Sequence, residues 1–171
     1  MTLPASRLLY LLAFIICVVL LLVALYMEHY MGLLPCPLCI IQRIAFVLIG
    51  LTCLAAVIHN PAPRPGRARA GAARGYAIAT TVFAAFGAAI AGRQVWLQYQ
   101  PADQLPSCLP PLEYMIDVMP MGQLITELFS GTADCAAVSW TFLGLSIAEC
   151  TLIAFIGFTI FGLVQIFRSN D

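Results

Sequence analysis

Four long apolar segments constrain the fold of this chain more than any other feature of its sequence. They lie near residues 8–26, 40–58, 76–95 and 141–163. At about 1.5 Å per residue, a helix of roughly 20 residues crosses the roughly 30 Å hydrocarbon core of a bilayer. Only 9% of the 171 residues are charged and 62% are hydrophobic, which excludes an ordinary soluble domain. We therefore predict an all-α membrane protein, a bundle of four transmembrane helices forming one domain over residues 1–171.

The arginines predict how this bundle is oriented. All 8 basic residues are arginine. Those outside the spans are Arg7, Arg64, Arg67, Arg69, Arg74 and Arg168. Under the positive-inside rule, both termini and the loop between spans two and three face the cytoplasm. The connections near residues 27–39 and 96–140 carry most of the acidic residues and are expected to face outward, into the periplasm. Met27-Glu28-His29 after the first span is unlike a small-residue cleavage site, so that span is expected to be a retained anchor.

The 7 cysteines divide by predicted depth. Cys17, Cys53 and Cys150 lie inside spans as solitary thiols, and Cys17 is expected to fill the core as a small hydrophobic side chain. The cysteines on the outward side are Cys36, Cys39, Cys108 and Cys135. In an oxidising compartment, four such cysteines favour disulfides or redox pairs over metal ligands. A zinc site built from the same four thiolates is the minor alternative.

A Cys-x-x-Cys motif stands where the first outward connection becomes span two. Cys36 is predicted to precede the helix and Pro37 to be its first residue, where a missing N–H costs no helical bond. Cys39 then lies in the first turn, where the helix dipole favours a thiolate. A disulfide at this spacing closes a very small loop, which favours a reactive pair over a structural one. Arg43 shares the helical face of Cys39. An arginine inside a span has two explanations: it has a functional role, or its side chain extends to the membrane interface.

The connection over residues 96–140 holds the second pair of outward cysteines. Prolines on both sides of Cys108 exclude a helix there and indicate an exposed segment that another protein can bind. A Cys108–Cys135 disulfide would close a loop of about 27 residues, worth about 3.5 kcal/mol in the chain-entropy model, so a purely structural bond is a second possibility. Glu149 is predicted about two turns into span four, where its carboxyl is neutral, paired with an arginine or part of a proton path.

Three segments together resemble those of the disulfide bond formation protein B (DsbB) family, whose members are quinone-dependent thiol oxidases of the bacterial inner membrane. They are Cys36-Pro37-Leu38-Cys39-Ile40 with Arg43, Gly92-Arg93-Gln94-Val95-Trp96-Leu97, and Asp134-Cys135 followed by Trp140-Thr141-Phe142-Leu143-Gly144-Leu145. The resemblance covers the whole chain, with four spans, both termini inside, and a long periplasmic loop between spans three and four.

The resemblance implies a role for each outward cysteine. Cys108 and Cys135 would form one disulfide pair. A reduced thioredoxin-like partner, DsbA, would attack Cys108 and form a mixed disulfide with it. Cys36 and Cys39 would reoxidise that pair by disulfide exchange. Cys39 would then pass the electrons to a membrane quinone, ubiquinone or menaquinone. Arg43 would stabilise the Cys39 thiolate and the charge that develops on the quinone oxygen.

The resemblance also implies that Trp140 and Arg93 lie near the quinone. One departure concerns proton delivery, because many family members carry a histidine near the outer end of span three. This chain has Gln98-Tyr99-Gln100 there, so the proton donor stays open between His29, Glu28 and water. The alternative from another class is a non-catalytic membrane scaffold with two structural disulfides. That alternative leaves Arg43 and the small Cys-x-x-Cys loop without a purpose.

Overall fold

Four long helices make up most of the described structure. The computed structural model describes residues 6–33, 35–59, 67–100, 120, 122, 140–142 and 144–168. The helices are α1 (Ser6–Met31), α2 (Pro37–His59), α3 (Arg67–Gln98) and α4 (Ile147–Arg168). Each of them is long and apolar enough to cross a membrane. The predicted all-α membrane protein with four transmembrane helices is therefore confirmed.

A short hairpin precedes α4 and delays its start. The predicted fourth span began at residue 141, but Thr141–Phe142 (β1) pairs antiparallel with Leu145–Ser146 (β2). Gly144 lies in the turn at φ +85°, a left-handed conformation that glycine adopts without a Cβ clash. The start of that span was therefore placed six residues too early, because apolar composition alone does not distinguish a hairpin strand from a helix.

The first residues of α4 form a reciprocal capping box. The Ser146 hydroxyl oxygen accepts a hydrogen bond from the Glu149 N–H at 3.2 Å, and the Glu149 carboxylate accepts one from the Ser146 N–H at 2.7 Å. Each bond satisfies a backbone donor that a helix start leaves without a partner. Glu149 thus lies in the first turn and is partly exposed. The prediction that placed it two turns inside a span was wrong.

The core of the bundle is centred on Phe155 of α4. This fully buried ring stacks on Phe46 of α2 with centroids 4.1 Å apart. It also lies against Gly87 of α3, where an added Cβ would collide with the ring. Closer to the C-terminal end of α4, a Cβ added at Gly162 would lie 3.0 Å from the backbone nitrogen of Thr81 on α3. Two glycines therefore let α3 and α4 approach closely, as small residues do in membrane bundles.

The helices pack in chain order, and α4 closes the bundle against α1. Helix α1 packs on α2, α2 on α3, and α3 on α4. Tyr10 of α1 and Phe161 of α4 make an edge-to-face ring contact with centroids 5.4 Å apart. The outside is aliphatic, with Leu22 60% exposed on α1 and Ile153 58% exposed on α4. A continuous apolar surface of this kind suits lipid as the surrounding solvent.

Candidate redox site

Two cysteines meet at the first turn of α2. The Cys36 carbonyl accepts a hydrogen bond from the Ile40 N–H at 3.2 Å, and Pro37 is the first helical residue, so the predicted helix start is confirmed. The Cys36 Sγ lies 2.9 Å from the Cys39 Sγ and 3.4 Å from the Cys39 backbone nitrogen. The Cys36 sulfur therefore caps a backbone N–H of the first turn while it contacts the second sulfur.

The pair lies at one end of the bundle, which we call the dithiol end. There α1 ends at Met31, α2 starts, α3 ends at Gln98 and α4 starts at Ile147. Cys36 is buried, with 9% of its surface exposed, and Cys39 is more exposed. Both sulfurs lie at the positive end of the α2 dipole, which stabilises a thiolate. The local geometry thus suits thiol–disulfide exchange at the edge of a membrane span.

A buried polar network joins the dithiol to α3 and α4. The Gln94 Nε2 lies 3.4 Å from the Cys39 Sγ and 3.6 Å from the Cys36 Sγ. The Gln42 Nε2 donates to the Gln94 Oε1 at 2.7 Å. The Thr151 hydroxyl in turn donates to the Gln42 Oε1 at 2.8 Å. A hydrogen-bonded series of side chains from three helices therefore ends at the two sulfur atoms, which Gln94 contacts.

Gln42, Gln94 and Thr151 are not among the predicted site residues. A signal was present, because amides inside apolar spans are costly unless they are hydrogen-bonded. What the sequence does not reveal is their partnership. Gln42 and Gln94 are 52 positions apart, and Gln42 and Thr151 are 109 apart. Only the packing of α2 against α3 and α4 brings them together.

Arg43 lies one turn further along α2 than Cys39, as predicted, and its guanidinium reaches α1. It forms a salt bridge with Glu28 and donates a hydrogen bond to the Ala24 carbonyl oxygen at 3.2 Å. The Arg43 and Glu28 side chains are 24% and 28% exposed. A carboxylate partner lowers the cost of a guanidinium at the membrane edge. The predicted roles of Arg43 towards the Cys39 thiolate and a quinone stay predictions.

An open apolar groove of about 120 Å³ lies between α1 and α2. Its lining starts at Leu21 on α1 and at Phe46 on α2. Leu21 is three residues from Ala24, and Phe46 is three residues from Arg43, so both lining faces continue towards the Arg43–Ala24 hydrogen bond. Arg43 therefore lies at the end of this groove that is nearer the dithiol.

Arg93 and Trp140, the other two predicted quinone contacts, also lie towards the dithiol end. The Arg93 guanidinium carbon lies 4.5 Å from the centroid of the Trp96 ring, a cation–π arrangement. Trp140 precedes β1 and is 37% exposed. The positions of Arg93 and Trp140 do not show whether either side chain contacts a quinone, so both quinone contacts stay predictions.

Cys108 and Cys135 lie outside the described residues. Their pairing, their roles and the alternative zinc site therefore stay predictions. Within the part of the chain that the structure describes, no group of three or more His, Cys, Asp or Glu side chains is arranged to hold a metal ion.

The cysteines inside the spans have a different environment from the dithiol. Cys17 and Cys53 are 1% and 0% exposed and belong to the hydrophobic core. The prediction that Cys17 fills the core is confirmed. Cys150 is partly buried in the first turn of α4.

A second polar cluster ties the end of α3 to the start of α4. The Tyr99 hydroxyl donates to the Glu149 carboxylate at 3.1 Å, and the Ser146 hydroxyl donates to the Gln98 Oε1 at 2.8 Å. The hydrogen bond to Glu149 raises the pKa of Tyr99, because ionisation removes the donated proton, and the charge of the carboxylate raises it further. These bonds hold α4 in the position from which Thr151 reaches the dithiol network.

The fold and the site define a multi-pass membrane protein with a dithiol at the start of one of its spans. A family model described as "Disulfide bond formation protein DsbB" matches residues 6–165. The chain belongs to the DsbB family, and the resemblance inferred from its motifs is confirmed.

Relatives match along almost the full length of the chain. It is 52% identical over 170 residues to Disulfide bond formation protein B of Stutzerimonas stutzeri, covering 99% of this chain and 100% of that protein. It is 50% identical over 168 residues to Disulfide bond formation protein B 1 of Pseudomonas aeruginosa, covering 98% and 99%. The protein of the same description from Methylococcus capsulatus is 47% identical over 165 residues, covering 96% of each chain. The similarity is therefore not confined to the cysteine motifs.

Proposed function

We propose that this protein is a quinone-dependent thiol oxidase of the bacterial inner membrane that reoxidises a DsbA-like periplasmic thiol oxidase. The observation that carries the proposal is the Cys36–Cys39 dithiol at the start of a membrane span, with its sulfur atoms 2.9 Å apart. A dithiol at this depth can exchange with a disulfide outside the membrane and can also reach an acceptor dissolved in the bilayer.

Two successive disulfide exchanges carry the electrons inward. A thiolate of the reduced partner attacks Cys108 of the Cys108–Cys135 disulfide, and the partner's second thiolate resolves the mixed disulfide. The partner leaves oxidised, and Cys108 and Cys135 are left reduced. This pair then reduces the Cys36–Cys39 disulfide in the same way, so two electrons pass in each exchange. Thiolate attack and release of the better leaving group set the rates.

The last transfer removes two electrons and two protons from the Cys36–Cys39 dithiol and restores its disulfide. A DsbA-type disulfide is itself a strong oxidant, at about −120 mV, so its regeneration requires a still stronger acceptor. A membrane quinone supplies a two-electron, two-proton acceptor of this kind. In this scheme Cys39 is the exit for the electrons.

The residues beside the dithiol fit a quinone, which has a polar ring and a long apolar tail. The groove between α1 and α2 offers an apolar lining for the tail. Arg43 lies at the dithiol end of the groove, and a guanidinium has five N–H donors. The bonds to Glu28 and Ala24 leave donors available for a ring oxygen. Trp140 and Arg93 are proposed to lie near the ring.

We place the dithiol end on the periplasmic side. Arg7 lies in the first turn of α1, Arg74 in the first part of α3 and Arg168 at the end of α4. All three positions belong to the end of the bundle opposite the dithiol. Under the positive-inside rule, this distribution supports cytoplasmic termini and periplasmic cysteine loops.

Quinone reduction by the purified protein tests the proposal. The protein in detergent is mixed with reduced DsbA-like partner and ubiquinone, and the quinone absorbance is followed. Wild type and the control Cys150→Ser should turn over, whereas Cys39→Ser should not. Cys108→Ser should block the partner but still pass electrons from a small dithiol through Cys36 and Cys39.

Two outcomes would contradict the proposal. One is a Cys39→Ser variant that reduces quinone as fast as wild type. The other is a wild-type protein whose four outward cysteines stay oxidised and inert towards the reduced partner. The second result would favour the membrane scaffold with two structural disulfides.

A further inference from the structure

A chain of three polar side chains crosses the interior of the bundle and ends at the dithiol. It runs from Thr151 on α4 through Gln42 on α2 to Gln94 on α3. The two glutamines are 4% and 5% exposed. Burying a carboxamide among apolar side chains is costly unless its hydrogen bonds are made, and here they are made between three helices.

In the structure, each amide of this network presents a particular end to its neighbour. A carboxamide has an oxygen that accepts and a nitrogen that donates. The Thr151 hydroxyl lies 2.8 Å from the Gln42 oxygen and 2.9 Å from the Ala148 carbonyl oxygen, and the two oxygens share its one proton. The Gln42 nitrogen faces Gln94 and donates to its oxygen at 2.7 Å. The Gln94 oxygen accepts that bond and also lies 3.7 Å from the Cys39 Sγ, which can donate to it as a thiol. The Gln94 nitrogen lies 3.4 Å from the Cys39 Sγ and 3.6 Å from the Cys36 Sγ, and it is the end of the amide that can donate to a thiolate.

Three charged side chains of the described residues at the dithiol end have contacts of their own. Arg43 on α2 binds Glu28 and a carbonyl oxygen of α1. The guanidinium of Arg93 on α3 lies over a tryptophan ring. Glu149 on α4 accepts hydrogen bonds from Tyr99 and from the Ser146 backbone. The Gln94 amide contacts the sulfurs directly, and it adds a neutral donor to the dipole of the α2 start.

We propose that Gln94 is a catalytic residue that stabilises the Cys39 thiolate by donating an N–H, and that Gln42 and Thr151 are positioning residues that hold its amide in the donating orientation. The inference rests on the proposed function, in which electrons leave through Cys39. Gln94 transfers no proton and no electron. It stabilises the thiolate that forms when the Cys36–Cys39 disulfide opens, because a hydrogen bond to an ionised sulfur is stronger than one to a thiol.

Alkylation of the reduced full-length protein tests this inference without any quinone. The protein in detergent is treated with iodoacetamide across a pH series, and modification of Cys39 is resolved by mass spectrometry. At a pH below the midpoint of the wild-type profile, we expect Gln94→Leu to slow Cys39 alkylation about tenfold. That factor moves the midpoint up by about one pH unit and corresponds to about 1.4 kcal/mol.

Substitutions of Thr151 on α4 test whether this residue helps to position the Gln94 amide. Thr151→Val keeps the side-chain shape but removes the hydroxyl, and it should shift the Cys39 profile in the same direction by a smaller amount. Thr151→Ser should restore the wild-type profile. The matched control is Thr159→Val, because the one hydrogen bond of the Thr159 hydroxyl among the described residues lies within α4, to the Phe155 carbonyl at 2.8 Å. It should leave the profile unchanged.

The outcomes separate the inference from the proposed function. A wild-type profile in folded Gln94→Leu overturns the catalytic role. A Thr151→Val profile equal to that of Thr159→Val overturns the positioning role. If Gln94→Leu fails to fold, the Thr151 series still decides whether the network acts on Cys39. A shifted profile together with a wild-type protein that does not reduce quinone would refute the proposed function and leave the stabilisation of the thiolate standing.

Discussion

Replacing Gly162 by alanine tests whether the close approach of α3 and α4 sets the stability of the bundle. A Cβ at this position would lie 3.0 Å from the Thr81 nitrogen and 3.2 Å from the Ala77 carbonyl oxygen. Both are backbone atoms of α3, so they move only if the helix moves. Gly157, on the same helix, has no atom of the described residues within 4 Å of an added Cβ. Gly157→Ala is therefore the matched control.

Two effects of an added Cβ act on the free energy of unfolding in opposite directions. Alanine is favoured over glycine in a helix interior by up to about 1 kcal/mol. Overpacking a tight contact typically costs about 1–3 kcal/mol. Gly157→Ala should therefore be neutral or stabilising, and Gly162→Ala should lie about 1–3 kcal/mol below it. At about 2–4 °C per kcal/mol, the unfolding midpoints should differ by roughly 2–12 °C.

Thermal unfolding in detergent measures this difference directly. Cys17 and Cys53 are 1% and 0% exposed, so their reaction with a thiol-specific dye reports opening of the core. Equal midpoints for Gly157→Ala and Gly162→Ala would refute the reasoning, because they would show that α3 yields to a Cβ at no cost. An unfolding midpoint lower for Gly157→Ala than for Gly162→Ala would also contradict the reasoning.

Three further predictions concern the polar contacts at the dithiol end. Ser146→Ala removes the cap of α4 and should cost about 1 kcal/mol in the same thermal assay, whereas Ser146→Thr should stay near wild type. Glu28→Gln removes the carboxylate partner of Arg43 and should cost at most about 1 kcal/mol, and the difference from wild type should shrink at high salt. Phenolate absorbance should show the pKa of Tyr99 falling back towards its ordinary value in Glu149→Gln. In wild type, the Tyr99–Glu149 bond should stabilise the fold below the ordinary tyrosine pKa and be lost as the pH rises through the raised one.

Local signals predicted the start of α2 correctly because all of its determinants lie within a few residues. Pro37 marks the first helical position, and Cys36 and Cys39 follow from it by helix geometry alone. The start of α4 was missed although its signal is equally local. Ser146 and Glu149 form the S-x-x-E pattern of a capping box, but the apolar residues before them read as a continuation of the span.

Long-range partners explain the rest of what the sequence did not reveal. Helical spacing places Arg43 on the face of Cys39, but it does not show that the guanidinium turns to Glu28 on α1. Spacing likewise gives no reason to join Gln42 to Thr151, because that contact depends on how α2 and α4 pack. Four spans follow from hydropathy, whereas the side chains that meet at the sulfurs follow from tertiary structure.

The structure places different polar groups on two sides of the dithiol. Gln94 reaches the sulfurs from the bundle interior, whereas Arg43 contacts α1 beyond the end of the apolar groove. In the proposed reaction, the interior amide stabilises the thiolate and the groove side receives the acceptor. The two sides should therefore be separable by experiment. Gln94→Leu should change the alkylation profile of Cys39 in the reduced protein without quinone, whereas Arg43→Met should chiefly raise the quinone concentration needed for half-maximal turnover. If both substitutions changed both quantities by the same factor, Gln94 and Arg43 would act as one unit, and the division between the two sides of the dithiol would be wrong.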